Sequence, residues 1–268
     1  MLTLSVSNIA WNRESDEQVG QFLKDRGVSN IEIAPTKYLP GAPRCSDKEV
    51  LEIKRIWNSH GISISSMQSI FFGHENLQLV EEGQSQELLC RFFLEWGRIG
   101  HLLGSSVMVL GGPKNRLLGG RDLQAAIETF HKFIIRLEAE WIWDHKIAFE
   151  SNPSEYGCEF VTTTSESIKL VEGINSPILG WNLDTACTVL GGEDPLLVLN
   201  SSKGLPTHVH LSAPNLAPLN HSLLETNKAV VKELSLLHYK GFVTLEMRPS
   251  QRIQDLYESV DLFCEYFA

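Results

Sequence analysis

Paired cysteines, long apolar runs, a surplus of basic residues and a nucleotide-binding glycine loop are all missing from this chain. Each absence removes a class of protein. Cys45, Cys90, Cys158, Cys187 and Cys264 are odd in number, widely scattered and without a C-x-x-C pair, so they read as reduced thiols in a reducing compartment and not as a disulfide framework. No stretch approaches the length of a membrane span, and the opening segment MLTLSVSNIAWNRES has neither the basic region nor the apolar core of a secretory signal. A cytoplasmic location without a membrane partner is therefore expected. Lys and Arg number 23 against 33 Asp and Glu, a formal charge of −10, which opposes attraction to a polyanion, so no nucleic acid partner is expected. No Pro/Ser/Gly-rich linker or low-complexity segment divides the 268 residues, which read as a single domain, 1–268.

What is present is an alternation. Short β-like runs recur at Leu4 to Ile9, Asn30 to Ala34, Ile62 to Gln68, Ser106 to Leu110, Lys146 to Phe149, Ile178 to Leu183, Thr207 to Leu211 and Phe242 to Glu246. Helical segments separate them. Two open on capping-box patterns, Ser15-x-x-Gln18 and Ser46-x-x-Glu49, and several stop at a glycine before the next strand, at Gly61, Gly104 and Gly241. The two longest helical stretches cover 84–103 and 121–145. An eightfold strand–helix repeat fits an open doubly wound sheet or a closed barrel, and no G-x-G-x-x-G follows the first strand. The expected fold is a single (β/α)8 TIM barrel.

In such a barrel the chemistry sits at the C-terminal ends of the strands. Strand five ends in Ile147-Ala-Phe-Glu150, strand six at Asp184, strand seven at His210 and strand eight at Glu246. Any one of these could be an ordinary polar strand end facing water. Three carboxylates and an imidazole converging on one rim would suffer repulsion and desolvation unless a cation compensated them. The set suits one divalent metal ion, with Mn²⁺, Mg²⁺ or Co²⁺ favoured for its oxygen-rich donors and Zn²⁺ as the alternative.

The segments IEIAPTKY, SISSMQSIFFG, VMVLGGPKNR, FESNPSEYG, NLDT, HVHLSAPNLAP and TLEM, spread over essentially the whole chain, resemble the sugar phosphate isomerase/epimerase superfamily of xylose isomerase-like barrels. That superfamily includes ketose 3-epimerases, hydroxypyruvate isomerase, inosose dehydratase and, more distantly, enzymes of the endonuclease IV type. The resemblance implies that Glu150, Asp184, His210 and Glu246 are the metal ligands and that Glu150 and Glu246 exchange protons with the carbon skeleton of a sugar. The chemistry is coherent: a metal chelated by a carbonyl and its neighbouring hydroxyl acidifies the α C–H, and a carboxylate in reach removes the proton. Returning the proton to the other face epimerises, and returning it to the other carbon isomerises.

Two departures bear on the substrate. Cys187 stands where the ketose 3-epimerases carry a histidine, and His210-Leu-Ser-Ala-Pro lacks their Asp and Arg. Both weigh against a free-ketose 3-epimerase, and the missing histidine also weighs against a three-metal DNA-repair site.

Further residues are candidates for substrate contact. His208 points the same way as His210, one layer deeper, and reads as a hydrogen-bonded support in preference to a fifth ligand. Glu32 and Gln68, at the ends of strands two and three, read either as substrate or support contacts or as structural groups. Lys114 and Arg116 offer two cations for a phosphate or carboxylate. Asn152, Glu155 and Tyr156 follow Glu150 at the mouth; His74 and His221 lie in segments after strands three and seven. Trp11 is either a stacking face for a sugar or a packing residue. The expectation is a metal-dependent isomerase or epimerase of a small polyhydroxylated carbonyl compound, with a keto-polyol dehydratase or a non-catalytic carbohydrate-binding barrel as alternatives, and pairing into a homo-oligomer left open.

Overall fold

The computed structural model describes residues 2–219 and 223–267. Eight parallel strands follow one another around a closed barrel: β1 (Thr3–Ser7), β2 (Asn30–Ile33), β3 (Ser63–Met67), β4 (Val107–Leu110), β5 (Lys146–Glu150), β6 (Leu179–Asp184), β7 (His208–Leu211) and β8 (Phe242–Leu245). Closure sets Thr3 opposite Phe242 and Val6 opposite Leu245. The surrounding helices are α1 (Asp16–Asp25), α2 (Asp47–Ser59), α3 (Gln84–Leu103), α4 (Leu123–Glu140), α5 (Thr164–Ile174), α6 (Thr185–Leu190), α7 (Pro195–Ser201), α8 (Leu224–Leu236) and α9 (Ile253–Phe267). This is the (β/α)8 architecture expected from the alternation. None of the helices among the described residues is long and apolar enough to cross a membrane.

The local signals were realised unevenly. At α2, Ser46 Oγ accepts from the Glu49 N–H while the Glu49 carboxylate accepts from the Ser46 N–H at 2.8 Å, a reciprocal cap of about 1 kcal/mol. Ser15 does not cap α1, because it closes a 3₁₀ turn and its backbone (φ −94°, ψ 1°) is not extended. Gly104 ends α3 in the left-handed region at φ 82°. At the end of α8 that turn is taken by His238, at φ 55°. Gly241 is needed for another reason: a Cβ there would meet the Tyr239 ring.

The main apolar core lies between the strands and the helices, around Trp57, Phe93, Trp96, Phe130, Phe133 and Phe149. Alternation along each strand divides the two layers. Ile147 and Phe149 of β5, and Val209 and Leu211 of β7, belong to this outer core, whereas Val107, Val109 and Ala148 form a small separate cluster inside the barrel. The other buried residues on inward positions are polar, among them Ser7, Glu32, Ser66, Gln68, Asn182, His208, His210 and Thr244. Buried polar groups are costly unless hydrogen-bonded, so the barrel interior must be a connected network, and that network leads to the mouth.

Candidate metal centre at the barrel mouth

Register brings the candidate ligands together. Asp184 pairs with His210, Glu150 with Asn182 and His210 with Thr244, while Glu246 follows β8 with its N–H donating to the Leu211 carbonyl at 3.0 Å. His210 Nδ1 then faces three carboxylates: Glu150 Oε1 at 3.1 Å, Glu246 Oε2 at 3.3 Å and Asp184 Oδ2 at 3.8 Å. Asp184 is held by a cap. Its Oδ1 accepts from the Cys187 N–H at the start of α6 (2.6 Å) and from Ser212 Oγ (2.8 Å), leaving Oδ2 turned to the centre. Glu150 is held by two amides, Asn182 Nδ2 on Oε1 at 2.8 Å and Asn152 Nδ2 on Oε2 at 3.0 Å. Gly111 makes room for it, since a Cβ there would lie 2.9 Å from Glu150 Oε2.

The electrostatics fit a divalent cation. Burial, joined by the charges of Glu150 and Asp184, pushes Glu246 well above the usual carboxylate range against the pull of His210. Asp184 is raised by burial and by Glu150. Burial opposes the charge on Glu150 as well, but the hydrogen bond and charge of His210 outweigh it and the net direction is down. His210 is pushed down by burial yet raised well above its usual value by Glu32, Glu246 and Glu150. Without a cation, Glu246, Asp184 and His210 are all shifted toward their protonated forms. A divalent ion would displace such protons and supply positive charge itself. Two carboxamide oxygens beside Glu150, Asn152 Oδ1 and Asn182 Oδ1, are buried without a partner among the described residues. Glu150, Asp184 and His210 therefore make a donor group that could hold a metal, with Glu246 Oε2 beside it, 3.3 Å from His210 Nδ1.

Behind this set lies a second group, Glu32, His208 and His210. Glu32 has no exposed surface. It accepts from Ser66 Oγ at 2.8 Å and Gln68 Nε2 at 2.7 Å, and its two oxygens also meet His208 Nε2 at 2.9 Å and His210 Nε2 at 3.0 Å. The carboxylate of this group is already satisfied by donors, while His208 Nδ1 is buried without a partner among the described residues.

In front, a cavity of about 350 Å³ runs from Glu150 across the ends of β3 and β4, lined by Gln68, Ser69, Phe71, Phe72 and Lys114. A neighbouring cavity of about 400 Å³ shares Ser69 and Phe72 and is walled by Trp11, Arg13 and Lys37. The candidate ligand side chains thus occupy the β5–β8 arc, and the open space extends from Glu150 over the β1–β5 arc. The size suits a small molecule.

The structure distributes the other candidates unequally. Gln68 and Lys114 line the cavity beside Glu150, and Asn152 holds Glu150. Trp11 lines the neighbouring cavity, with Nε1 donating to Asp16 and Lys37 Nζ 4.7 Å above its ring. Glu32 and His208 lie behind the centre, out of reach of the mouth. Arg116 differs from the expected loop cation: it is fully buried, donates to the Leu110 carbonyl at 2.7 Å and lies 4.4 Å over the Phe149 ring. The 3₁₀ turn Pro113–Asn115 sends Lys114 outward and Arg116 inward. His74 joins a separate cavity, its Nε2 2.9 Å from the Ala42 carbonyl oxygen. Glu155 is exposed, and its carboxylate accepts from Ser154 Oγ at 3.4 Å. The Tyr156 hydroxyl accepts from the Asn215 N–H at 3.1 Å, tying two mouth loops. His221 lies outside the described residues. The sequence reading missed Asn182 and Ser212. Asn182 had a signal, being two residues before Asp184 on the same strand face.

A family model described as a xylose isomerase-like TIM barrel matches residues 21–266. The chain belongs to this xylose isomerase-like family. Among solved structures it is similar to an AP endonuclease of family 2 from Brucella melitensis (TM-score 0.77, 15% identity, 100% of both chains). It is also similar to a D-psicose 3-epimerase determined in the presence of D-fructose (TM-score 0.76, 13% identity, 100% of this chain and 99% of that one). A third is a probable 3-DHS dehydratase from Bacillus anthracis (TM-score 0.65, 13% identity, 97% of both chains). At such identities these likenesses establish the shared barrel alone. No curated protein matches the sequence.

Proposed function

We propose that the protein is a divalent-metal-dependent isomerase or epimerase of a small polyhydroxylated carbonyl compound, a sugar, sugar phosphate or related keto-polyol. The observation that carries this reading is the convergence of Glu150, Asp184 and Glu246 on His210 Nδ1 at the end of a cavity sized for a small molecule. The ion, Mn²⁺, Mg²⁺ or Co²⁺ before Zn²⁺, would supply Lewis-acid polarisation of a carbonyl and its neighbouring hydroxyl, acidifying the C–H between them. Glu150 and Glu246 come from strands separated by β6 and β7, so one carboxyl group removes the proton and the other returns it. Asn182 and Asn152 fix the Glu150 oxygens during that transfer. Gln68 and Lys114 are placed to bind hydroxyl or anionic groups of the substrate, and Phe72, 75% exposed at the rim, offers its ring to an apolar sugar face.

A dehydratase is the second reading. The same proton removal precedes loss of a β-hydroxyl, the B. anthracis neighbour is described as a probable dehydratase, and Cys187 replaces the histidine expected of a ketose 3-epimerase. A purely binding barrel has no use for both Glu150 and Glu246. The charge of −10 supports a partner that is neither nucleic acid nor membrane, and the free cysteines support a reducing, cytoplasmic setting. The test is metal analysis of the purified protein, with Mn²⁺ titration of wild type and Glu150→Gln, followed by a screen of keto-sugars for solvent deuterium incorporation at carbon. One metal per chain and exchange on at least one sugar are expected. A folded wild type that binds no divalent ion would refute the proposal.

A further inference from the structure

We infer that Glu32 is the positioning residue of the centre: a single buried carboxylate that holds both His208 and His210 by Nε2 and thereby presents His210 Nδ1 to Glu150, Asp184 and Glu246. The inference rests on the metal reading above. Its basis is the pattern of donors around one side chain. Glu32 Oε1 accepts from Gln68 Nε2 at 2.7 Å and Oε2 from Ser66 Oγ at 2.8 Å; His210 Nε2 lies 3.0 Å from Oε1 and 3.2 Å from Oε2, hydrogen-bonded to the latter, and His208 Nε2 lies 2.9 Å from Oε2. Every neighbour in this set can donate. A nitrogen facing such an oxygen carries a hydrogen, which in a neutral imidazole leaves the other ring nitrogen as a bare lone pair. For His210 that other nitrogen is the one aimed at the three carboxylates.

Three features make this an arrangement for His210 and not for substrate. The carboxylate has no exposed surface, so nothing in the mouth touches it. The β2–β3 register shifts between Ile31 and Glu32, a local irregularity of the kind that re-aims a side chain near a site. The rings of His208 and His210 stand nearly perpendicular, at 87° with centroids 4.9 Å apart, which lets each meet the same carboxyl group from its own direction. Thr244 Oγ1 also lies 3.2 Å from His208 Nε2. His208 is thus the deeper half of the clamp, steadying the rotation of Glu32.

Glu32→Gln keeps the shape and breaks the pattern. An amide leaves one acceptor oxygen for the four donors around Glu32, and an imidazole displaced from that oxygen is free to move its hydrogen to Nδ1. In His210 that hydrogen would occupy the coordinating nitrogen. In His208 it would leave Nδ1, already buried without a partner, as an unpaired donor. The experiment is calorimetric titration of Mn²⁺ into chelator-treated wild type and Glu32→Gln, with melting of both metal-free proteins. The expected result is an affinity lower by about tenfold to a hundredfold in the variant, the range for such outer partners of metal-bound histidine.

A second measurement does not depend on the variant folding. In wild type labelled with ¹⁵N-histidine and loaded with Zn²⁺, which is diamagnetic, His210 should show a proton on Nε2 and metal-bound Nδ1. Coordination through Nε2, or undiminished Mn²⁺ affinity in a folded Glu32→Gln, would overturn the inference while the metal reading stood. Failure of wild type to bind Mn²⁺ would remove the metal reading and this inference with it.

Discussion

Replacing Glu246 by Gln separates the cost of the centre from its use. In the metal-free protein Glu246 is 7% exposed and its carboxyl is pushed well up by burial and by Glu150 and Asp184, which favours its protonated form. Gln has nearly the same shape and no charge, which makes it a mimic of that state. The metal-free melting temperatures should therefore agree to within about 2 °C, since a change without lost packing or charge is worth under about 1 kcal/mol. With metal the two proteins part. An ion at about a hundred times its dissociation constant stabilises the native state by about 2.7 kcal/mol. For 268 residues, an unfolding entropy of about 2.1 cal/mol/K per residue turns that into a rise of about 5 °C. If loss of one charged ligand weakens binding by about a hundredfold, the same metal concentration stabilises the variant by only about 0.4 kcal/mol, or a rise of about 1 °C. Differential scanning calorimetry with and without Mn²⁺ reads both numbers. A metal-free variant melting many degrees below wild type, or equal metal-induced rises in the two proteins, would refute the reasoning.

Metal affinity should rise with pH, because Glu246 and His210 are raised in the metal-free state and must release protons to coordinate. Titrations in two buffers of different ionisation enthalpy should detect that release, and pH-independent binding without proton release would count against the ligand set. Gly111→Ala should leave stability within about 1 kcal/mol but weaken metal binding, since its Cβ would lie 2.9 Å from Glu150 Oε2; equal affinity in wild type and variant would show that Glu150 has room to move. Remote from the mouth, burial draws His145 down to about 4, reinforced by His101, and its Nε2 has no hydrogen-bond partner among the described residues. Its folded value lies below the unfolded one of about 6.5, so its contribution is complete above that pH and is lost as pH falls toward 4, up to about 3 kcal/mol. Urea unfolding across this window should be less acid-sensitive in His145→Leu than in wild type, and identical slopes would refute it.

The candidate ligands and the support behind them differed in how far they could be read in advance. Glu150, Asp184, His210 and Glu246 were legible because each sits at or within one residue of the C-terminal end of a β-run, and in a β/α barrel those ends have one destination. Asn182 shared that legibility through the two-residue period, although a single amide inside GWNLD draws no notice until its partner carboxylate is known. Lys114 and Arg116 were not separable by sequence. Both are cations in one turn, and only the packing of Phe149 beneath that turn buries one and leaves the other exposed.

Sequence by itself determined the eightfold alternation, most strand positions and the acidic rim, because hydrophobic period and strand-end chemistry are local properties of the chain. Tertiary structure alone decided that Glu32 stands behind His210 and not in the mouth, that His74 faces a different cavity, and that the open space runs from Glu150 over the β1–β5 arc. Those facts depend on register and depth between strands far apart in sequence, such as β2 and β7. A strand's own period fixes which face a side chain points to, whereas how deep it sits, and which group from across the barrel meets it there, follow only once the sheet has closed.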